Sequence, residues 1–165
     1  MIIAIGGLSR SGKSKLSKRV KRMFKDKNPI LLHQDEFVKA EANIPLIRDH
    51  IDWEIPASID LPAWKAAVEK GKAAHEVLIL EGLFAFAFSE LNAIYDKSIL
   101  VEIPKEIFLQ RKREDLRWGK EPEWYIQYIW EAYHRHGLPP KNLAVFRVHG
   151  NQRLDEEALW KYLSG

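Results

Sequence analysis

The chain opens with an apolar run, Met1-Ile2-Ile3-Ala4-Ile5, that stops at Gly6 and passes directly into Gly7-Leu8-Ser9-Arg10-Ser11-Gly12-Lys13-Ser14. That octapeptide fits G-x-x-x-x-G-K-[ST] without a substitution, and a polar segment with Leu16, Val20, Met23 and Phe24 at helical spacing follows it. A β-branched run, a glycine-rich turn and a helix in immediate succession leave few folds open. The glycines let backbone N–H groups close around phosphate oxygens, and the helix N-terminus adds its positive end. In such a loop the lysine, here Lys13, reaches the β- and γ-phosphates, and the hydroxyl of Ser14 is placed to ligate Mg²⁺. Gly7, Ser9, Arg10, Ser11, Gly12, Lys13, Ser14 and Lys15 are therefore the expected contacts to the phosphates of ATP. The alternative is a Gly/Ser turn in front of a basic helix.

The same alternation continues along the chain. Ile30–Leu32 stops at His33-Gln34-Asp35, Val77–Leu80 ends in Glu81-Gly82, Ile99–Ile103 is closed by Pro104, and Leu143–Val148 is a fifth strand candidate. Between them lie helical patterns. One carries Leu61, Trp64 and Val68 up to Gly71, with Ser58 as its expected cap. A charged helix is expected from Lys105 to about Trp118, a break at Gly119–Pro122, an aromatic-rich helix over Glu123–His136, and a last one around Leu154, Ala158, Leu159 and Tyr162. Near-continuous Val/Ile/Leu strands alternating with helices predict a parallel sheet covered on both faces. The expected fold is a three-layer α/β/α domain with about five strands.

At 165 residues, 46% hydrophobic and 30% charged, the chain is expected to form one domain, residues 1–165. It contains no cysteine, which excludes a disulfide scaffold, thiolate catalysis and cysteine-bearing zinc sites. Twenty-six Lys+Arg against 23 Asp+Glu give a formal charge of +3, suited to an anionic small molecule and too small to argue for nucleic acid. No stretch approaches a membrane span, and the apolar N-terminal run is too short for a signal peptide, so a cytoplasmic protein is expected.

In parallel sheets ligands bind beyond the carboxyl ends of the strands, which singles out the residues just after each apolar run. Asp35 is a candidate to accept a proton from an attacking hydroxyl or to hold an Mg²⁺-bound water, against the plainer reading of a turn aspartate. Glu81, an acid ending a buried strand beside a phosphate loop, is placed to orient Mg²⁺ or its water. Ile107 and Phe108 start an apolar face, but Arg111, Lys112 and Asp115 occupy the positions where it should continue. The basic cluster Arg111, Lys112, Arg113 and Arg117 suits a lid over residues 111–124 that closes on a transferring phosphoryl group, or else a solvated face paired with Glu114 and Asp115. Lys15, Lys18, Arg19, Lys21, Arg22, Lys25 and Lys27 read as the solvated face of the first helix. Most of the tryptophans, including Trp124, Trp130 and Trp160, read as core, whereas Trp53 and Trp118 fall in loops where a ring is free to stack on a substrate. The six histidines show no metal-ligand spacing.

Taken together, GGLSRSGKS, LLHQDEF, DWEIPASID, LILEG and the Arg-rich helix resemble the uridine kinase and nicotinamide riboside kinase branch of the P-loop kinases. The QDDFFK of the riboside kinases is similar to Gln34-Asp35-Glu36-Phe37-Val38-Lys39, and their C-terminal segment is similar to Val148-His149-Gly150-Asn151 followed by Asp155-Glu156-Glu157. The resemblance implies a P-loop NTPase fold and ATP- and Mg²⁺-dependent phosphorylation of a small-molecule hydroxyl, foremost the 5′-hydroxyl of a nucleoside. It implies that Asp35 receives the hydroxyl proton, that Asp52 binds ribose hydroxyls and that Glu81 helps hold Mg²⁺. Ser14 and Asp35 are the further expected Mg²⁺ contacts, and Phe37, Trp53 and Trp118 are expected around the substrate. An arginine from Arg111, Arg113 and Arg117 is expected on substrate and phosphates, and Gly150-Asn151 near the adenine. Two positions depart: Ile51 stands where the riboside kinases carry an aromatic residue before the ribose-binding Asp, and Glu36 replaces their second Asp. Two other classes compete. A regulatory P-loop NTPase acting on a protein is one, although a GTPase's N-K-x-D motif is missing; a polynucleotide or RNA-associated kinase using the basic first helix is the other. The state expected in solution is a monomer or a homodimer.

Overall fold

The computed structural model describes residues 1–165 with the exception of Trp118. Five parallel strands, β1 (Ile2–Gly7), β2 (Pro29–His33), β5 (Val77–Gly82), β6 (Lys97–Glu102) and β7 (Phe146–His149), form one sheet in the order β2-β5-β1-β6-β7. A two-residue hairpin, β3 (Leu46–Ile47) with β4 (His50–Ile51), lies apart from it. β1 and β5 are buried along their whole length, which is why they read as apolar runs.

Alternate residues face opposite layers. Ile3 and Ile5 of β1 pack with Ile79, Ile99 and Val101 against Leu16, Val20 and Phe24 of α1 (Lys13–Met23) and against Leu159 and Leu163 of α6 (Glu156–Ser164). Ile2, Leu78 and Leu80 face the other way, onto Trp64 and Val68 of α2 (Leu61–Ala74). The short α3 (Ser89–Asn92) precedes β6 on that side. Beyond the carboxyl edge, Phe108 of α4 (Lys105–Arg113) packs with Tyr125, Ile126, Ile129 and Tyr133 of α5 (Glu123–His136) and with Leu8 of the phosphate loop. The three-layer α/β/α fold with a five-stranded parallel sheet is the one the sequence predicts.

Several local expectations are corrected. α2 is capped by Asp60, whose carboxylate accepts from the Ala63 amide at 3.0 Å; the Ser58 hydroxyl instead donates to the Ile55 carbonyl at 2.7 Å. α4 ends at Arg113, not near residue 118. The buried Asp115 accepts both the Arg117 guanidinium and the Arg117 backbone amide, and this local alternative to helical bonding turns the chain away. Trp160 is 44% exposed and lies against Phe24 at the surface, outside the core. The hairpin and α3 are too short to leave a periodic signal.

Candidate active site

The phosphate loop joins β1 to α1 as its motif demands. Gly12 adopts φ +100°, a conformation an L-side chain rarely takes, and among the described residues no side chain caps α1, whose Lys15 and Leu16 amides close on the Gly12 carbonyl at 3.1 Å. Ser11 is fully buried, Lys13 is 8% exposed, and Ser14 and Lys15 lie at the surface. The basic residues further along α1 face solvent, with Arg19 paired to Glu156 of α6. Ser9 and Lys13 line a cavity of 720 Å³, within the range of small-molecule and cofactor sites.

Parallel pairing brings the acidic strand ends to this loop. Glu81 stands in register between Ile5 of β1 and His33 of β2. It is buried, with the Ser14 hydroxyl 3.3 Å and the Lys13 Nζ 3.6 Å from Oε1, and with the His33 Nδ1 2.6 Å from Oε2. Among the described residues no three His, Cys, Asp or Glu side chains cluster as a self-sufficient metal site. A hydroxyl and a carboxylate beside a phosphate loop are the hard oxygen donors that suit Mg²⁺, which takes few protein ligands and fills its shell with phosphates and water. Asp35, in the 3₁₀ turn at 34–37, is exposed on the cavity wall. It lies two residues beyond His33, outside the Ser14–Glu81 contact.

Across the cavity lie His50, Ile51, Trp53, Glu54 and Tyr125. Asp52 does not line it. This carboxylate is buried, one oxygen accepting the Glu54 amide at 3.2 Å and the other the Tyr128 hydroxyl at 2.7 Å. Asp52 therefore pins the 51–54 turn to α5, and the acid presented to the cavity is Glu54. Its Oε2 is buried without a hydrogen-bond partner among the described residues. Burial pushes the Glu54 carboxyl up to about 8; Lys112 opposes the shift, and the carboxylates of Glu121 and Asp52 add to it. An aromatic ring followed by an acid, sought at positions 51 and 52, is present in the cavity as Trp53-Glu54. Phe37 is corrected too: its ring packs on Trp64 at 5.0 Å, in the cluster under α2, and not on the cavity. Trp118 lies outside the described residues.

The basic helix divides its labour. Arg111 donates to the carbonyls of Arg10 and Gly150 at 3.0 and 3.2 Å, tying the phosphate loop to the segment after β7. Lys112 is buried and reaches Glu121 at 2.7 Å, and both line the cavity. Arg113 points away to an exposed pair with Glu123, which corrects its assignment to the site. Of the three arginines, Arg117 alone lines the cavity, held by Asp115, whose carboxyl is driven far below the usual range by that hydrogen bond. Gly150 presses on the Ser11 carbonyl, while Asn151 is exposed and outside the cavity lining. Glu54, Tyr128 and His33 were missed as site residues. The first follows Trp53 directly; the others lie in patterns that read as a core face and a strand end.

No family model matches the chain. It is 24% identical over 176 residues to nicotinamide riboside kinase 1 of Rattus norvegicus, covering 96% of this chain and 89% of the relative. It is 23% identical over 178 residues to nicotinamide riboside kinase 2 of Homo sapiens, covering 94% and 76%. Among solved structures, a gluconokinase of Sinorhizobium meliloti superposes with a TM-score of 0.60 at 17% identity over 98% of this chain and 89% of that one. A possible uridine kinase of Bacillus stearothermophilus superposes with a TM-score of 0.52 at 14% identity, over 81% and 83%. Fold, phosphate loop and relatives define a P-loop kinase, an enzyme of ATP-dependent phosphotransfer to small molecules. Within that class its sequence is similar to nicotinamide riboside kinases and its fold to that of a possible uridine kinase.

Proposed function

We propose that the enzyme transfers the γ-phosphoryl group of ATP to the primary hydroxyl of a nucleoside-like acceptor, nicotinamide riboside and uridine being the acceptors named for its relatives and a structural neighbour. The observation that carries this reading is one cavity lined by Lys13 of the phosphate loop, by Asp35, and by the ring-and-acid pair Trp53-Glu54. Lys13 and the loop amides hold the triphosphate. Asp35 accepts the hydroxyl proton as the new O–P bond forms, and Arg117 contributes positive charge beside the transferring group. Trp53 and Tyr125 offer rings to the base, and Glu54, aided by Asp52 behind it, binds sugar hydroxyls. Ser14 and Glu81 would hold Mg²⁺, which when bound would supply positive charge to the triphosphate. The chain acts as one domain, with residues 111–124 as the lid.

The test is ADP release by the purified protein against a panel of nucleosides, vitamins and sugars, with Asp35→Ala in parallel. A nucleoside is expected to raise ADP release well above the water background. Asp35→Ala is expected to lower the rate by about 10²–10⁴-fold with ATP binding intact. A panel in which no hydroxyl compound raises ADP release refutes the reading; wild-type turnover by Asp35→Ala refutes the role of Asp35.

A further inference from the structure

Glu81 has more partners than a single ligating carboxylate needs, and one of them has no place in phosphoryl transfer as described above. His33 is the last residue of β2, directly in register with Glu81. Its Nδ1 lies 2.6 Å from Glu81 Oε2, on the opposite oxygen from the one that meets Ser14 and Lys13. A buried carboxylate rotates about its last bond unless both oxygens are engaged. Left to itself beside Lys13 it would turn both oxygens toward the ammonium, drawing Lys13 from the phosphates and Oε1 from the cation. The imidazole prevents this by holding Oε2 on the β2 side, which leaves Oε1 facing the phosphate loop. His33 is itself partly exposed, with 29% of its side chain accessible, so it is not there as core filling.

We propose that His33 is a positioning residue: by donating Nδ1–H to Glu81 it aims that carboxylate and sets the affinity of the nucleotide site for its divalent cation. The inference rests on the reading of Ser14 and Glu81 as the protein's share of the Mg²⁺ site. Groups that orient a metal ligand from behind change metal affinity by about 10–100-fold when removed.

The experiment uses the full chain with a non-hydrolysable ATP analogue and no acceptor. Mn²⁺ binding to the protein–nucleotide complex is followed by electron paramagnetic resonance, and nucleotide affinity is measured separately in EDTA. His33→Ala is expected to weaken Mn²⁺ binding about tenfold or more while metal-free nucleotide affinity stays within about twofold. His33→Asn, which returns an N–H close to the Nδ1 position, is expected to recover most of the loss. Should His33→Ala fail to fold, as judged by thermal melting, His33→Leu keeps the bulk without the donor and carries the same expectation. Mn²⁺ affinity unchanged in the donor-less variant overturns the proposal, as does a parallel loss of metal-free nucleotide binding, or an Asn variant no better than Ala. Wild-type protein that binds no nucleotide would remove the kinase reading as well; wild type that binds it, with variants that do not differ, removes only the role of His33.

Discussion

Gly150→Ala is the substitution whose consequence is most directly calculable. Gly150 lies just after β7, its amide donating to the Glu102 carbonyl at 2.8 Å and its carbonyl accepting from Arg111. A Cβ built there would stand 3.0 Å from the Ser11 carbonyl carbon and overlap that group's oxygen, with the Ile103 side chain 3.2 Å away on another side. No flexible side-chain end can yield, since the obstacle is the backbone of the phosphate loop. One of the two segments must retreat by on the order of 1 Å, a displacement that costs about 10²-fold where reacting groups are positioned. That corresponds to about 2.7 kcal/mol of transition-state stabilisation. The assay is steady-state kinetics with ATP varied, together with nucleotide binding and a thermal melt. A fall in kcat/KM for ATP of about 10²-fold with a folded protein is expected. Values of kcat/KM and nucleotide affinity within about twofold of wild type would refute the argument, because the loop would then be free to move without consequence.

Three further outcomes follow from the geometry. Glu54 ionises from about 4.5 in the unfolded chain but only near 8 in the folded protein, so its burial opposes folding increasingly as pH rises between those values and by a constant amount above them. Glu54→Gln is therefore expected to gain stability over wild type across that interval, read by melts from pH 4 to 9, while raising KM for the acceptor; a pH-independent difference would refute the assignment. Lys112→Met strands the Glu121 carboxylate and is expected to cost about 3–5 kcal/mol in denaturant unfolding, with much of it recovered in Lys112→Met/Glu121→Gln. Asp60→Ala removes the α2 cap and is expected to cost about 1 kcal/mol of stability with kcat unchanged, measured by urea titration and steady-state rates.

What was readable in the amino-acid order is what depends on local periodicity. The strand β1, the phosphate loop and α1 follow from residues 1–24, because a buried parallel strand must be apolar throughout and an anion-binding turn must be rich in glycine. Glu81 and Asp35 were legible for the same reason: Glu81 closes the apolar run of β5 and Asp35 lies two residues beyond β2, so the apolar runs point to both. α5 was bounded correctly because Pro122 and Gly137 flank an apolar stripe. The end of α4 was not, since it rests on one aspartate out-competing helical bonds for the amide of Arg117.

Sequence alone thus determined the layered sheet, the phosphate-binding edge and the acids that border it, all consequences of short-range pattern. Tertiary structure decided which side chains of the remaining segments meet. It turned Arg113 out to Glu123 and kept Arg117 at the cavity; it set Asp52 behind the 51–54 turn and left Glu54 in front; and it brought His33 onto Glu81 across 48 residues of chain. Those choices hinge on burial and on competition among charged partners far apart in the chain. The free energy of a buried carboxylate depends on neighbours that no local pattern specifies.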